Sequence, residues 1–265
     1  MRRIITQSQV RRNSDTVRNR FTLPLFVMTP ERTEKLLQLL HRRQPDLSLI
    51  ADQVNKPRNL SALIRNCDAV GIHRVHTVVP KEGYRTYRGT AKGSDYYVKT
   101  RQHTDVISAI DTVKSEGMKV VAAHFSDHAI DYREFDYTQP CALLMGAEKQ
   151  GVSEEAAANA DAHVVIPMMG IVSSLNVSTA AGIILVEAQY QRMKAGLYDT
   201  NRLQEEEVRT CLFEWGNRDL AKYCRDNGLA YPPLNHEGDV IDAPGWYKRA
   251  REGQAPTFDW SSTAY

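Results

Sequence analysis

Residues 141–151 read CALLMGAEKQG, an apolar run that ends in a loop bracketed by Gly146 and Gly151. The five consecutive apolar residues predict a strand buried on both faces, as in a parallel sheet covered by helices. The glycines allow the backbone to approach a ligand closely where the strand ends, and Glu148 is the one carboxylate in the loop. The sequence matches neither a phosphate-binding loop nor a dinucleotide-binding turn. A plain turn with a surface carboxylate is the alternative interpretation.

Short apolar runs and helical patterns alternate on both sides of this stretch. The apolar runs predict strands at residues 47–51, 75–79, 119–124, 141–145 and 164–166. Helical patterns, several of them closed by glycine or proline, predict helices at residues 31–43, 60–70, 104–116, 153–159 and 175–195. The alternation predicts an α/β fold in which a parallel sheet is flanked by helices.

The predicted sheet domain covers residues 46–198 and follows one helix within residues 28–45. Thr29 and Pro30 suit the cap and the first residue of that helix. Residues 1–27 hold six Arg and one Asp, and we expect a disordered basic arm or an upstream extension, with Met28 as a possible natural start. After Gly196 no strand-like runs follow, so residues 199–265 are expected to form a helical and irregular extension with two short helices.

The composition is that of a globular protein, since 42% of the 265 residues are hydrophobic and 25% are charged. The net charge is +2, so a nucleic acid would have to be bound by local basic patches. The longest apolar run, residues 180–186, is far shorter than the roughly 20 residues of a membrane-spanning helix, and no membrane segment is expected. The four cysteines lack C-x-x-C spacing, which favours a reducing, cytoplasmic compartment. The histidines lack metal-ligand spacing, so no metal is expected.

Two further polar stretches follow predicted strands, where open α/β folds bind their ligands. Residues 55–65 read NKPRNLSALIR, in which Asn59 is a candidate helix cap. Arg65 is six residues later and about 240° around a regular helix from Asn59. Residues 164–178 read VVIPMMGIVSSLNVS, a strand stopped by proline and followed by a helix start rich in Ser and Asn. Backbone amides there can bind an adenine edge, although a well-capped core helix has the same pattern.

Together the three stretches resemble the motifs of the TrmH/SpoU group of SPOUT RNA 2′-O-methyltransferases: Asn-x5-Arg, Gly-x-Glu-x-x-Gly, and Ile-Pro-Met-x-Gly leading to Ser-Leu-Asn-Val-Ser. The likeness extends from about residue 30 to the tail. It implies a deep trefoil knot at the carboxyl end of the sheet, S-adenosylmethionine as cofactor, and a homodimer with its active site at the subunit interface. Within the group, the flanking segments are most similar to members that methylate guanosine 18 in the D-loop of tRNA.

The resemblance also implies roles for individual residues. The implied catalytic set is Asn59, Arg65, Glu148, Ser174 and Asn176. The cofactor pocket, formed largely by backbone groups, is expected at Ala123, Met145, Gly146, Ile166, Met168 and Leu175. In the family Arg65 would activate the ribose 2′-hydroxyl with help from the substrate phosphate. Because arginine is normally a permanent cation, the role of Arg65 as the general base stays open. It also stays open whether Arg65 completes the active site of its own subunit or that of the partner.

RNA must reach this pocket across a locally basic surface. The candidate contacts are Arg42, Arg43, Lys56, Arg58, Arg85, Arg88 and Lys92, of which the last three lie in a tyrosine-rich segment suited to stacking on bases. One alternative is a 2′-O-methyltransferase for ribosomal RNA or another tRNA position. Another is a catalytically inactive knotted RNA-binding protein, which would not require the complete catalytic set. A generic nucleotide-binding enzyme is disfavoured because the phosphate-loop signatures are missing.

Overall fold

The computed structural model describes residues 28–54, 56–78, 96–147 and 149–260. The helices are α1 (Pro30–His41), α2 (Pro57–Ala69), α3 (Val106–Ser115), α4 (Glu154–Ala158), α5 (Val177–Lys194), α6 (Glu205–Gly216), α7 (Arg218–Asp226) and α8 (Ala243–Arg251). The strands are β1 (Leu47–Asp52), β2 (Arg74–Val78), β3 (Lys99–His103), β4 (Lys119–Ala123), β5 (Ile130–Asp131), β6 (Cys141–Met145) and β7 (Ala162–Val165). Residues 1–27, predicted to be a basic arm, lie outside these ranges.

The seven strands form one parallel sheet in the order β3-β2-β1-β6-β4-β7-β5. Every predicted strand is present with ends within two residues of the prediction, and the predicted α/β class is confirmed. The sequence did not predict β3 and β5, which are the two edge strands. β3 reads KTRQH and has no apolar pattern, because an edge strand is only partly covered. β5 has two residues, too few to produce a pattern.

Helices cover both faces of the sheet. Leu143 of β6 packs in one apolar cluster with residues of α2 and α5, whereas its neighbour Leu144 packs in a second cluster with residues of α3 and α4. The same alternation holds along β1, where Leu49 faces the first cluster and Ile50 the second. Strands buried on both faces read as continuous apolar runs, which explains why the sequence predicted them well.

A buried cation ties the end of α5 to the amino ends of the central strands. Arg192 has no exposed surface. Its guanidinium donates hydrogen bonds to the carbonyl oxygens of Tyr137 (2.8 Å), Asp46 (3.1 Å) and Gln139 (3.1 Å) and to the side chains of Gln44 (3.0 Å) and Asp46 (2.8 Å). Burial alone would raise the pKa of the Asp46 carboxyl, but hydrogen bonds from Arg202 and Arg192 outweigh it and lower that pKa.

Arg43 is a second fully buried cation. Its guanidinium donates to the Ile72 carbonyl at 2.8 Å and to the Asp68 carboxylate at 2.7 Å. The prediction that Arg43 contacts RNA is therefore wrong, because its charge is turned inward and satisfied there. Arg42, the other half of the arginine pair, is exposed. Successive residues after the end of α1 face opposite ways, and the sequence alone does not tell which of the two faces solvent.

Two histidines form a buried pair between β2 and β3. Nδ1 of His76 lies 2.9 Å from Nε2 of His103, and His76 has no exposed surface. Burial, with a further contribution from the neighbouring His103, lowers the pKa of His76 to about 3. His76 is therefore neutral in the folded chain at neutral pH.

The described chain divides into two compact units, residues 34–211 with the sheet, and residues 28–33 with 212–260. The smaller unit has its own apolar cluster, which includes Phe213, Leu220 and Trp246. Between residues 199 and 260 the structure has three helices, α6 to α8, where the sequence predicted two for the extension. One reason is that α8 begins Ala-Pro-Gly, residues more typical of an irregular tail. In the described ranges no helix has both the length and the apolar character to span a membrane.

Candidate functional site

Three adjacent strands end at one edge of the sheet and bring predicted cofactor residues together. β4 lies between β6 and β7, so Met145, Ala123 and Val165 end neighbouring strands. Ile166 follows directly after β7 and, like Ala123, is half-buried, whereas Met145 is buried. Because parallel strands present their carboxyl ends at the same edge, the backbone groups of all three exits lie next to one another there.

The loop after β6 folds back on itself. The Gly151 N–H donates to the Ala147 carbonyl at 2.8 Å, and the two residues form an antiparallel bridge. A Cβ on Gly146 would lie 2.1 Å from the carbonyl carbon and oxygen of Gly151, and Gly151 itself has a φ of +70°. Both glycines are therefore required by the backbone geometry. Glu148, the predicted catalytic carboxylate between them, lies outside the described residues.

Asn176 caps α5 and connects the third motif to the first. Its Oδ1 accepts hydrogen bonds from the backbone N–H groups of Ser178 (2.9 Å) and Thr179 (3.4 Å). Its Nδ2 donates to Oδ1 of Asn59 on α2 at 3.2 Å. On the same helix pair, Asn66 Nδ2 donates to the Ser178 carbonyl at 2.7 Å. Two amide side chains thus join α2 to the start of α5, and two predicted catalytic residues are in direct contact.

α2 begins three residues before the predicted position. Lys56 is its N-cap and Pro57 its first residue, so the prediction of Asn59 as the helix cap is wrong. Proline is pre-organised for the first helical position, which explains the earlier start. Asn59 consequently lies in the first turn, where its side chain accepts from Asn176. Arg65 lies on the same helix, is exposed, and makes no hydrogen bond or ion pair with the residues that the structure describes.

The segment between β7 and α5 presents mixed chemistry. Met168 and Leu175 are half-buried, and Ser174 is exposed. Met169 and Ile171 are about as exposed as side chains can be, at 94% and 106% of the reference area. The segment therefore presents two large apolar side chains to solvent beside the exposed Ser174.

Asp52, at the end of β1, is a residue of this edge that sequence reasoning missed. Its side chain is 2% exposed, and its Oδ2 accepts from the Ser153 hydroxyl at 3.4 Å. Burial raises the pKa of the Asp52 carboxyl, because desolvation disfavours the charged form. Ser153 also caps α4 through the Ala156 N–H at 3.3 Å. A lone carboxylate at the end of the apolar strand LSLIAD was the signal that could have identified it.

The structure describes some of the predicted RNA-contacting residues and not others. Arg42, Lys56 and Arg58 are exposed. The three basic candidates of the tyrosine-rich segment lie outside the described residues: Arg85, Arg88 and Lys92. Within the described ranges no group of three or more His, Cys, Asp or Glu side chains is arranged to hold a metal ion.

A family model described as the SpoU rRNA Methylase family matches residues 46–186, which include all seven strands and the three motifs. This chain belongs to the SpoU methylase family. A second model, described as the C-terminal part of SpoU rRNA methylases, matches residues 190–243 of this SpoU-family chain. The family predicted from the three motifs is therefore confirmed.

Relatives within the SpoU family include proteins named tRNA (guanosine(18)-2'-O)-methyltransferase. The protein of that name from Escherichia coli strain K12 is 46% identical over 222 residues, which are 83% of this chain and 97% of that protein. The one from Thermus thermophilus is 49% identical over 187 residues, which are 71% of this chain and 96% of that protein.

Solved SpoU structures have the same fold. The A. aeolicus TrmH/SpoU tRNA modifying enzyme aligns with a TM-score of 0.68 at 38% identity, covering 72% of this chain and 97% of that one. The SpoU methyltransferase AviRb from Streptomyces viridochromogenes, in complex with AdoMet, aligns with a TM-score of 0.51 at 28% identity, covering 57% of this chain and 62% of that one.

Proposed function

We propose that this chain transfers a methyl group from S-adenosylmethionine to the ribose 2′-hydroxyl of guanosine 18 in the D-loop of tRNA. The main structural observation is the hydrogen bond from Asn176 to Asn59, which joins the first and third motifs. The contact brings two residues of the implied catalytic set together, and the 46% identity to a tRNA (guanosine(18)-2'-O)-methyltransferase supports the same reaction on the same nucleotide. We also propose a cytoplasmic location, which suits four buried cysteines that form no disulfide.

The proposed cofactor site lies at the carboxyl edge of β6, β4 and β7, and its residues fit S-adenosylmethionine. Half-buried apolar side chains there suit an adenine ring and an aliphatic chain, namely those of Ala123, Ile166, Met168 and Leu175. Backbone groups beside Met145 and Gly146 supply hydrogen-bond partners, and the missing Cβ of Gly146 keeps the loop closed. AviRb, a relative of this chain, has been solved in complex with AdoMet. When bound, the cofactor supplies an electrophilic sulfonium methyl group.

The chain's own residues would orient the ribose and help remove its proton. Arg65 is exposed on α2, and its permanent charge suits a substrate phosphate and a 2′-hydroxyl that is losing its proton. Asn59 and Asn176 are held together as an amide pair, which gives the ribose a fixed set of polar neighbours. Ser174 and Glu148 are assigned to positioning Arg65 and the ribose on the basis of the motif resemblance.

A deep trefoil knot at this edge is part of the proposal. In the sheet β6 lies between β1 and β4, whereas β7 lies on the far side of β4. The chain nevertheless goes from β7 to α5, which packs against α2, the helix that follows β1. The segment between β7 and α5 must therefore pass back across the exits of β4 and β6. This crossing supports a knotted path, which periodicity alone would never suggest.

A homodimer is the assembly that we propose. α5 buries one face with Ile184, Leu185 and Ala188 but exposes Val186, Tyr190 and Met193 on another. The three exposed residues follow i, i+4, i+7 spacing and form one apolar stripe. A helix that is apolar on most of its surface is normally buried on most of its surface, and a second copy would cover the stripe.

The prediction that tRNA is bound by Arg42, Lys56, Arg58 and the basic segment stays part of this proposal.

The proposed function is tested with the Arg65→Ala variant, measured for cofactor binding and for methyl transfer. Binding of S-adenosylhomocysteine should stay close to wild type, because Arg65 lies outside the proposed cofactor site. Transfer should fall by at least about 100-fold, the scale for groups that assist proton transfer. The matched control is Arg209→Ala, which removes an exposed arginine paired with Glu205 and should leave both values unchanged. Wild-type turnover in Arg65→Ala would contradict the assignment.

A further inference from the structure

His163 of β7 makes hydrogen bonds through both of its ring nitrogens. Nδ1 lies 2.7 Å from the hydroxyl of Ser126, in the loop after β4. Nε2 lies 2.9 Å from the carbonyl oxygen of Ala157, in the last turn of α4. The imidazole therefore bridges two segments that are 31 residues apart in the chain, counted from Ser126 to Ala157.

The chemistry of the partners fixes the direction of the hydrogen bond to Ala157 and, for the neutral imidazole, that of the hydrogen bond with Ser126. A carbonyl oxygen only accepts, so Nε2 of His163 donates to Ala157. In the neutral imidazole Nδ1 is then the acceptor, and the Ser126 hydroxyl donates to it. The Ser126 oxygen in turn accepts from the His128 backbone N–H at 3.4 Å. The result is a continuous chain of donors and acceptors that runs from the β4 loop to α4.

The two bridged segments adjoin the proposed cofactor site. Ser126 lies three residues after Ala123, where β4 ends, and α4 follows directly after the glycine loop. His163 itself is paired with Ala122 of β4 and precedes Ile166 by three residues. One side chain of β7 thus connects the loop after β4 to the helix that follows the glycine loop.

The helix that His163 contacts is also held at its other end. α4 has five residues, and its N-cap Ser153 donates to Asp52 at the end of β1. A helix this short has little stability of its own, so its position depends on such contacts. The contact to Ala157 therefore helps to fix the carboxyl end of α4, together with the apolar packing of Ala156 and Ala157.

We propose that His163 is a positioning residue that holds the loop after β4 and the helix after the glycine loop in the arrangement that binds S-adenosylmethionine. The inference rests on the proposed function, because it assumes that the cofactor binds at this edge. His163 contacts neither ribose nor phosphate in this proposal, so its loss should weaken cofactor binding rather than slow the methyl transfer itself. Losing one hydrogen bond that selects the binding-competent arrangement should raise the apparent Kd by up to about tenfold.

The experiment uses three variants of the full chain. Ser126→Ala and His163→Gln each remove the Ser126–His163 hydrogen bond, while glutamine retains a donor that can reach Ala157. The double variant Ser126→Ala/His163→Gln removes the same bond. His128→Gln is the matched control, because it changes an exposed histidine on the same loop and keeps the backbone N–H. Each protein is measured for Kd of S-adenosylhomocysteine by calorimetry, for KM and kcat with S-adenosylmethionine, and for Tm.

We expect Kd and KM for the cofactor to rise by up to about tenfold in both single variants, with kcat at saturating cofactor within about twofold of wild type and Tm unchanged. The double variant should match the single variants, because coupled residues are not additive. The inference would be overturned by any of three results. These are a wild-type Kd in both single variants, additive effects in the double variant, and a rise in Kd that always accompanies a fall in Tm. Failure of the wild-type chain itself to bind S-adenosylhomocysteine would overturn the proposed function as well.

Discussion

Replacing Arg192 by methionine tests whether the buried cation at the amino edge of the sheet stabilises the fold. Methionine fills a similar volume but donates no hydrogen bond, so the carbonyl oxygens of Tyr137 and Gln139 lose this donor. The Asp46 carbonyl also loses it but keeps the Cys141 N–H, and the Gln44 side chain keeps Arg202. Asp46 keeps Arg202, at 2.7 and 2.8 Å, and is not left without a cation. Breaking a buried ion pair by removing one partner costs about 3–5 kcal/mol. Because Asp46 retains one partner, we expect a value near the lower end, about 3 kcal/mol.

The assay is urea unfolding followed by circular dichroism, together with a thermal scan. A loss of about 3 kcal/mol corresponds to a fall in Tm of about 6–12 °C for a chain of this size. Arg209→Met is the control, because Arg209 and its partner Glu205 are 76% and 80% exposed and such pairs contribute about 0.5 kcal/mol or less. A stability of Arg192→Met within about 1 kcal/mol of wild type would refute the reasoning, since it would mean that water or rearrangement satisfies the buried acceptors.

Three further perturbations follow from the same structure. Gly146→Ala should abolish cofactor binding, because its Cβ would lie 2.1 Å from backbone atoms of Gly151. A calorimetric Kd equal to that of the wild type would contradict this. Asn176→Asp keeps the helix cap but loses the hydrogen bond donated to Asn59, so kcat should fall while Tm stays near wild type. A fall in Tm without loss of kcat would show instead that Asn176 has a purely structural role. The pKa of His76 is lowered from 6.5 to about 3 in the folded chain, so as the pH falls His76 is protonated in the unfolded chain before it is protonated in the folded one. Burying the neutral His76 therefore costs no stability above about pH 6.5, whereas below that pH it lowers the free energy of unfolding by about 1.4 kcal/mol per pH unit. His76→Gln should reduce this pH dependence in urea titrations between about pH 6.5 and 5.

The sequence predicted the sheet well because the central strands are buried on both faces. β6 gives an uninterrupted apolar run, and in β1 only Ser48 interrupts the apolar residues before Asp52. Burial of Leu143 and Leu144 in opposite clusters explains the run of β6, and burial of Leu49 and Ile50 explains that of β1. The edge strand β3, with the sequence KTRQH, has no such pattern because its stability comes from pairing with β2. Local chemistry also misled the reasoning at α2, where Asn59 looked like a cap although Pro57 begins the helix.

The sequence motifs named residues of the candidate site but not the contacts between them. The motifs identified Asn59 and Asn176, which are 117 residues apart, yet no periodicity could show that their amides form a hydrogen bond. Arg42 and Arg43 have the same chemistry and adjacent positions, and one is exposed while the other is fully buried. Such differences depend on tertiary packing, which a single sequence does not report. The same holds for Asp52 and His163, whose importance rests on contacts with distant segments.

The most direct test of the central claim is transfer of labelled methyl from S-adenosylmethionine to an unmodified tRNA transcript, with the modified nucleotide mapped. A transcript with a 2′-deoxyguanosine at position 18 is the control, because it lacks the one oxygen that the proposed reaction requires. We predict label at guanosine 18 of the unmodified transcript and none in the control. Label at another nucleotide, label that persists in the deoxy control, or no label on tRNA despite cofactor binding would contradict the proposed function.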